Sequence, residues 1–191
     1  MNEYFTLLEN TIKELSIEDK PMRIWNLDEI SFCTDPAKTK VVGGKNVPCI
    51  RTVSAPGREN IAVLMAASAS GDKVPPLIIF KGKNIWDQWQ ASENSGYPGT
   101  TYAATNNGWM EVEVFQNYFP KSFLKTIGTD RPVLLIFDGH STHLTIRLIE
   151  IASQENVTIL KLPPHTSHVL QSLDLSIFKP LKTCWDLKLV K

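Results

Sequence analysis

The amino-acid sequence predicts a mixed α/β domain, a β-sheet flanked by helices. Three observations carry that expectation. The N-terminal half holds short apolar runs set apart by turn residues, such as IAVLMAASAS (61–70) and LIIF (77–80), which fit strands in hairpin connection. The C-terminal half alternates strand-like VLLIF (133–137), helix-like LTIRLIEIASQ (144–154) and strand-like VTILKL (157–162), an order that suits parallel addition to a sheet. The chain has 191 residues, 42% of them hydrophobic and 9% aromatic, enough for the core of one ordinary domain.

Taken in order, EYFTLLENTIKELS (3–16) sets Phe5, Leu8, Ile12 and Leu15 at helical spacing. RIWNLDE (23–29) reads as a short strand ending in acids. TKVV and CIRTV, within 39–53, are split by GGKNVP and read as a hairpin. IAVLMAASAS is a strand, and GDKVPP turns the chain into LIIF. From Lys81 to Asn107 the chain is rich in Gly, Asn, Ser and Trp, so irregular structure is expected, with a short helix around Ile85–Trp89. EVEVFQNYFPKSFLKT (111–126) is helical, kinked or divided at Pro120. VLLIF is a buried strand, and LDLSIFKPLKTCW (173–185) is a closing helix interrupted or curved near Pro180. No internal repeat or low-complexity tract occurs.

Charge and cysteine usage narrow the class. Lys and Arg total 20 and Asp and Glu total 20, so no global basic field advertises a nucleic-acid partner, although a neutral total is compatible with one basic face. Cys33, Cys49 and Cys184 are scattered and form no C-x-x-C, as expected of a reduced, intracellular chain. Apolar runs such as IAVLMAA (61–67) are too short to span a bilayer, and MNEYFTLLEN lacks a secretion signal.

Three aspartates share a telling context. Asp28 follows IWNL at a strand end, Asp138 follows VLLIF, and Asp174 stands where the last helix should begin. A lone ionised carboxylate driven to the end of a buried strand is costly, so such groups find hydrogen bonds, a cation or a metal. Hard divalent cations accept carboxylates drawn from different elements, and a pair of them serves in-line phosphoryl displacement. Taken singly, Asp28 also fits a turn, and Asp174 fits a helix N-terminus stabilised by backbone N–H groups.

All four histidines, His140, His143, His165 and His168, fall in two H-x-x-H pairs. Zinc held by these imidazoles is one reading, but structural zinc favours cysteine and none is nearby. His140 and His168 are the better candidates to line an acidic site. Ser141 lacks the G-x-S-x-G elbow of a serine hydrolase. Trp25 reads as core, while Trp86, Trp89, Trp109 and Trp185 are open to base stacking. Local basic groups at Arg51 and Arg58, at Lys81 and Lys83, and at Lys179, Lys182, Lys188 and Lys191 are solvated surface by default and phosphate contacts if DNA binds.

WNLDEISF (25–32), LIFDGHSTH (135–143) and LPPHTSHVLQSLDLSIFKPLK (162–182) resemble the three signature blocks of the DDE superfamily endonuclease domain. The branch is that of pogo, Tigger and Jerky-type transposases and their centromere-protein-B-like relatives. The resemblance runs from about Pro21 to Lys191 and implies an RNase H-like fold, a mixed five-stranded sheet with helices on both sides. In that family three acids bind two divalent ions, Mg²⁺ or Mn²⁺, and cut DNA phosphodiester bonds. Position by position, the acids fall on Asp28, Asp138 and Asp174, with 35 residues (139–173) between the last two. Glu29 belongs to the first block without being expected as a ligand.

The same resemblance makes DNA the expected partner, a homodimer the assembly and the nucleus the location, with no membrane and no small-molecule substrate. Lys179, Lys182 and Lys188 are the expected DNA contacts. Residues 1–20 read as a helical remnant of a linker to absent helix-turn-helix modules, and 21–191 as the catalytic domain. Ser172 and Ser176 depart from the Pro and Gly usual in the third block. Two functions follow: a metal-dependent endonuclease and strand-transfer domain, or a domesticated, inactive descendant that binds DNA or protein.

Overall fold

The computed structural model of the chain describes residues 2–34, 60–92, 95–138 and 144–189. The expected 39–53 hairpin, Cys49, Arg51, Arg58, His140, Ser141, His143 and Lys191 lie outside the described residues. Six strands form one sheet: β1 (Ile24–Cys33), β2 (Asn60–Ser68), β3 (Lys73–Lys81), β4 (Thr101–Thr105), β5 (Val133–Phe137) and β6 (Val157–Lys161). Their spatial order is β4-β3-β2-β1-β5-β6. The β1–β2 and β2–β3 pairs are antiparallel, and β3–β4, β1–β5 and β5–β6 are parallel. The sheet is mixed, as expected, but has six strands rather than five.

The extra strand is β4, TYAAT, inside the stretch expected to be irregular. It pairs in parallel with the far half of β3, from Leu77↔Thr101 to Lys81↔Thr105, and forms an edge. β3 is also longer than LIIF and passes through Pro75 and Pro76. Its register with β2 shifts there, Leu64↔Leu77 giving way to Ala66↔Val74, so two residues of β3 oppose one of β2. A bulge absorbs the missing proline N–H groups, and β4 pairs only beyond them.

Alternation along β1 decides what each sheet face buries. Trp25 and Leu27 enter the main core with Leu64, Leu77, Ile79, Leu135 and Phe137. That core is covered by α2 (Val112–Tyr118), its continuation through Phe119–Phe123 into α3 (Leu124–Thr126), and α4 (Ile146–Gln154). Phe115, Phe119 and Phe123 recur every four residues and are fully buried. Phe119 and Phe123 stack with centroids 5.3 Å apart, and Trp25 meets Phe123 edge-on at 5.9 Å. Pro120 neither breaks nor divides the helical run. The turn over Phe119–Phe123 widens to a π-helix, with Leu124 N–H donating to Phe119 O, and the wider turn accommodates the ring.

On the opposite face, α1 (Asn2–Glu14) lays Tyr4, Leu8 and Ile12 with Leu15 and Ile17 against Leu134, Leu160 and Leu162. Phe5 is not on that seam: it is 50% exposed, and Tyr4 takes the inward position. Beside α1, α6 (Lys179–Leu189) sends Leu181 and Trp185 onto Ile30 and Phe32. Trp185 Nε1–H donates to Cys33 O at 2.8 Å, tying the last helix to the end of β1.

Candidate active site

Between α1 and α6 the second face of the sheet carries polar side chains. Asn26 and Asp28 belong to the same alternating set of β1 as Ile24, Ile30 and Phe32, which contact those helices. The last β1–β5 pair is Asn26↔Ile136, and Asp28 and Asp138 each stand two residues further along in the same direction. Parallel register therefore brings both acids to one level of the sheet, Asp138 just past the end of β5 and Asp28, against the expected strand end, in the middle of β1, which continues to Cys33. Asp28 and Asp138 are half-buried and Asp174 is exposed.

Asp174 arrives from the third sequence block. After α5 (Ser167–Leu170), Gln171 turns inward with no exposed surface, and helical structure resumes as a π-type turn over Asp174–Phe178 that leads into α6. Such widened turns are frequent at functional sites. Here one stands directly before Pro180, the point at which an interruption was expected. The two serines that depart from the family pattern join across this turn, Ser176 Oγ–H donating to Ser172 O at 2.6 Å.

An amide network holds the three segments together. Asn26 Nδ2 donates to Ile136 O and to Gln171 Oε1, both at 3.0 Å, and its Oδ1 accepts from Leu173 N–H at 3.1 Å. Gln171 Nε2 donates to Leu27 O at 3.2 Å. Sequence reasoning passed over both residues. The signal was there: each is a polar residue in an otherwise apolar block, two or three positions from an acid.

The field at Asp28 records the convergence. Burial raises its carboxyl most, and repulsion from Asp174 and Asp138 adds to the rise; hydrogen bonds from Glu29 N–H, at 2.8 Å, and from Gln171 pull the other way. The balance is a carboxyl pushed up to about 7. Glu29 points to the opposite face, where Oε1 accepts from Met110 N–H at 3.3 Å. Adjacency in sequence thus separates the two acids by the thickness of the sheet.

The other expected residues are less concentrated. His168 is exposed on α5 and is not among the described groups that act on Asp28. Lys179, Lys182 and Lys188 are all exposed on α6. Lys179 and Lys182 lie within about 60° of one another around the helix, whereas Lys188 is about 180° from Lys179. Trp25 is core, Trp185 is half-buried, and Trp86 and Trp109 are exposed.

As a donor set, the three aspartates offer only hard carboxylate oxygens, suited to Mg²⁺ or Mn²⁺ rather than to softer metals. The like-charge repulsion at Asp28 is what a divalent cation would relieve. Among the described residues, however, no three His, Cys, Asp or Glu side chains are close enough to hold a metal ion. Asp138 and Asp174 act on the charge of Asp28 without the three closing into a cage.

Comparison with known proteins gives this arrangement a family. Residues 58–191 match the DDE superfamily endonuclease family. The chain is 28% identical over 169 residues to a Cochliobolus lunatus protein named MFS-type transporter clz9, covering 85% of this chain and 18% of that protein. It is 26% identical over 162 residues to the Pogo transposable element with KRAB domain of Homo sapiens, covering 82% and 25%. It is 29% identical over 131 residues to the Jerky protein of Mus musculus, covering 63% and 22%. The chain spans a quarter or less of these relatives' length. The match to the first covers only 18% of that protein. Among the described residues no helix is long and apolar enough to cross a membrane.

Among solved structures, the pre-cleavage Mos1 transpososome superposes with a TM-score of 0.63 at 13% identity, covering 96% of this chain and 47% of that one. The Mos1 mariner paired-end complex with Mn superposes with a TM-score of 0.58 at 13% identity, covering 94% and 46%. The mixed sheet with helices on both faces is the RNase H-like fold of those transposases. With that fold, the ordered blocks and the match over 58–191, this chain belongs to the DDE superfamily endonuclease family.

Proposed function

We propose that the chain is a metal-dependent DNA endonuclease and strand-transfer domain of the transposase type, in which Asp28, Asp138 and Asp174 hold divalent ions, Mg²⁺ or Mn²⁺. The observation that carries the reading is the joining of the three acid-bearing segments, β1 and β5 by parallel register and the Asp174 segment by Asn26 and Gln171, with burial and the two other acids raising the Asp28 carboxyl. Two divalent ions bound there would stabilise the attacking and leaving oxygens of a phosphodiester displacement, so no covalent protein intermediate is needed. Asp28, from the middle of β1, and Asp138, just past the end of β5, supply two ligands, and Asp174 supplies the third from the helical turn that follows Gln171. Relatives solved as Mos1 complexes with Mn and with Mg support the choice of metal.

In this reading DNA is the substrate. His140 and His168 support the acids, and Lys179, Lys182 and Lys188 contact the phosphate backbone. Residues 21–191 form the catalytic unit and 1–20 a helical segment attached to it. A homodimer in the nucleus is the working assembly. The test is nicking of supercoiled plasmid by the purified chain with Mg²⁺ or Mn²⁺, beside Asp138→Ala. A metal ligand contributes several kcal/mol to such a transition state, so the variant should lose about 10²–10⁴-fold in rate. Nicking that survives the substitution would refute the assignment.

A second reading, a domesticated descendant that binds DNA without cutting it, is favoured by the exposure of Asp174. Plasmid binding with neither nicking nor calorimetric uptake of Mn²⁺ would select it.

A further inference from the structure

We propose that Asn26 and Gln171 are positioning residues for the carboxylate site, an amide clamp that fixes the segment carrying Asp174 against the strands carrying Asp28 and Asp138. The inference rests on the endonuclease reading above and deepens it.

Its basis is where the hydrogen bonds of one side chain fall. Asn26 is two residues before Asp28 on β1. Its Nδ2 reaches Ile136 O, two residues before Asp138 on β5, and its Oδ1 takes the N–H of Leu173, one residue before Asp174. A single amide therefore touches the chain within two residues of every acid. Gln171 completes the clamp: fully buried, it accepts from Asn26 Nδ2 at 3.0 Å and donates to Leu27 O at 3.2 Å and to the Asp28 carboxylate. Both side chains are neutral at every working pH and use donor and acceptor ends together, which leaves them no part in proton transfer.

Stability alone does not call for such a pair. A buried hydrogen bond adds only about 0.5–1.5 kcal/mol net, and burying an amide costs more than that wherever a partner is missed. Leucine and methionine would fill the same volume at lower cost. What they would lack is direction. Apolar contacts let a helical segment slide along the sheet, whereas satisfied amides accept one register. A shift of about 1 Å at a catalytic carboxylate is enough to cost about 10²-fold in rate.

The test uses the full chain with Gln171→Met, Asn26→Leu and the double variant. Two quantities are read: amide hydrogen exchange over 172–176 relative to β5, and kcat and KM for Mn²⁺-dependent plasmid nicking. The expected result is exchange over 172–176 raised about tenfold or more with β5 still protected. Alongside it, kcat should fall about 10–100-fold, the usual effect of losing a group that orients a ligand, with KM for DNA little changed. The double variant should be no worse than the worse single one. A Gln171→Met chain with wild-type kcat, or with unchanged exchange over 172–176, overturns the proposal. Should that variant not fold, Asn26→Ser, which leaves room for water to satisfy Gln171, reads the same two quantities. If the wild-type chain does not nick, the endonuclease reading fails and exchange alone decides the clamp, raised exchange upholding it and unchanged exchange overturning it.

Discussion

Replacing Asp28 by asparagine should make the chain more stable while destroying its chemistry, and the gain should grow with pH. The folded chain holds the Asp28 carboxyl at about 7, against about 3.9 in an unfolded chain. Below pH 4 both states are protonated and nothing is lost. Between about 4 and 7 the folded state keeps a proton that the unfolded state has released, so stability falls by up to about 1.4 kcal/mol per pH unit. Above about 7 both states are charged and the loss is complete. A difference of about 3 units corresponds to a ceiling of about 4 kcal/mol. Asp28 is only half-buried and keeps some water, so the observable part is nearer about 1–3 kcal/mol. Asparagine removes the charge and retains an acceptor for Glu29 N–H, although its amide no longer suits both donors. Urea unfolding of both proteins from pH 4.5 to 8, with a chelator present, reads the difference directly. A gap that is flat across that window, or that narrows as pH rises, would refute the reasoning.

Other outcomes follow from the same arrangement. Mn²⁺ at a hundred times its Kd should stabilise the folded chain by about 2.7 kcal/mol, more at pH 8 than at pH 6 because ligand carboxylates must be ionised; thermal unfolding of Asp174→Ala should show no such shift, and an undiminished one would remove that residue from the ligand set. Glu29→Gln should nick DNA within a few-fold of wild type, since Glu29 faces Met110 across the sheet from Asp28, and a loss as deep as that of Asp138→Ala would mean that the two faces are not independent. Lys179→Ala and Lys182→Ala should each flatten the dependence of log K on log salt for duplex DNA by about 0.9, as titrations between 50 and 200 mM salt would reveal.

The elements most easily read from sequence were those whose burial is uniform. VLLIF is buried almost without break, and its boundaries agree with β5 to the residue. β1 extends to Cys33, past the expected end, because two clusters share it. Trp25 and Leu27 serve one face, and Ile30 and Phe32 serve the other, so no single hydrophobic run marks its length. β4 was illegible for a different reason. Its half-buried TYAAT is recruited by backbone pairing to β3 rather than by an apolar pattern. Asp138 and Asp174 were legible as acids at element boundaries, whereas Asp28, expected at a strand end, lies in the middle of β1, which runs on to Cys33. Their mutual approach depends on the β1–β5 register and on Asn26, quantities that span 110 residues or more of chain.

That span has a consequence for how the protein comes into being. The β1–β2–β3 meander is local and can form early, whereas Asn26 must await Ile136, 110 residues on, and Leu173, 147 residues on. Closing loops of that length is entropically costly before any contact repays it. During synthesis the nascent chain would therefore carry its first acid on the β1–β2–β3 meander well before the third is made. A site joined by segments 147 residues apart stays open until the later of them has been made and docked.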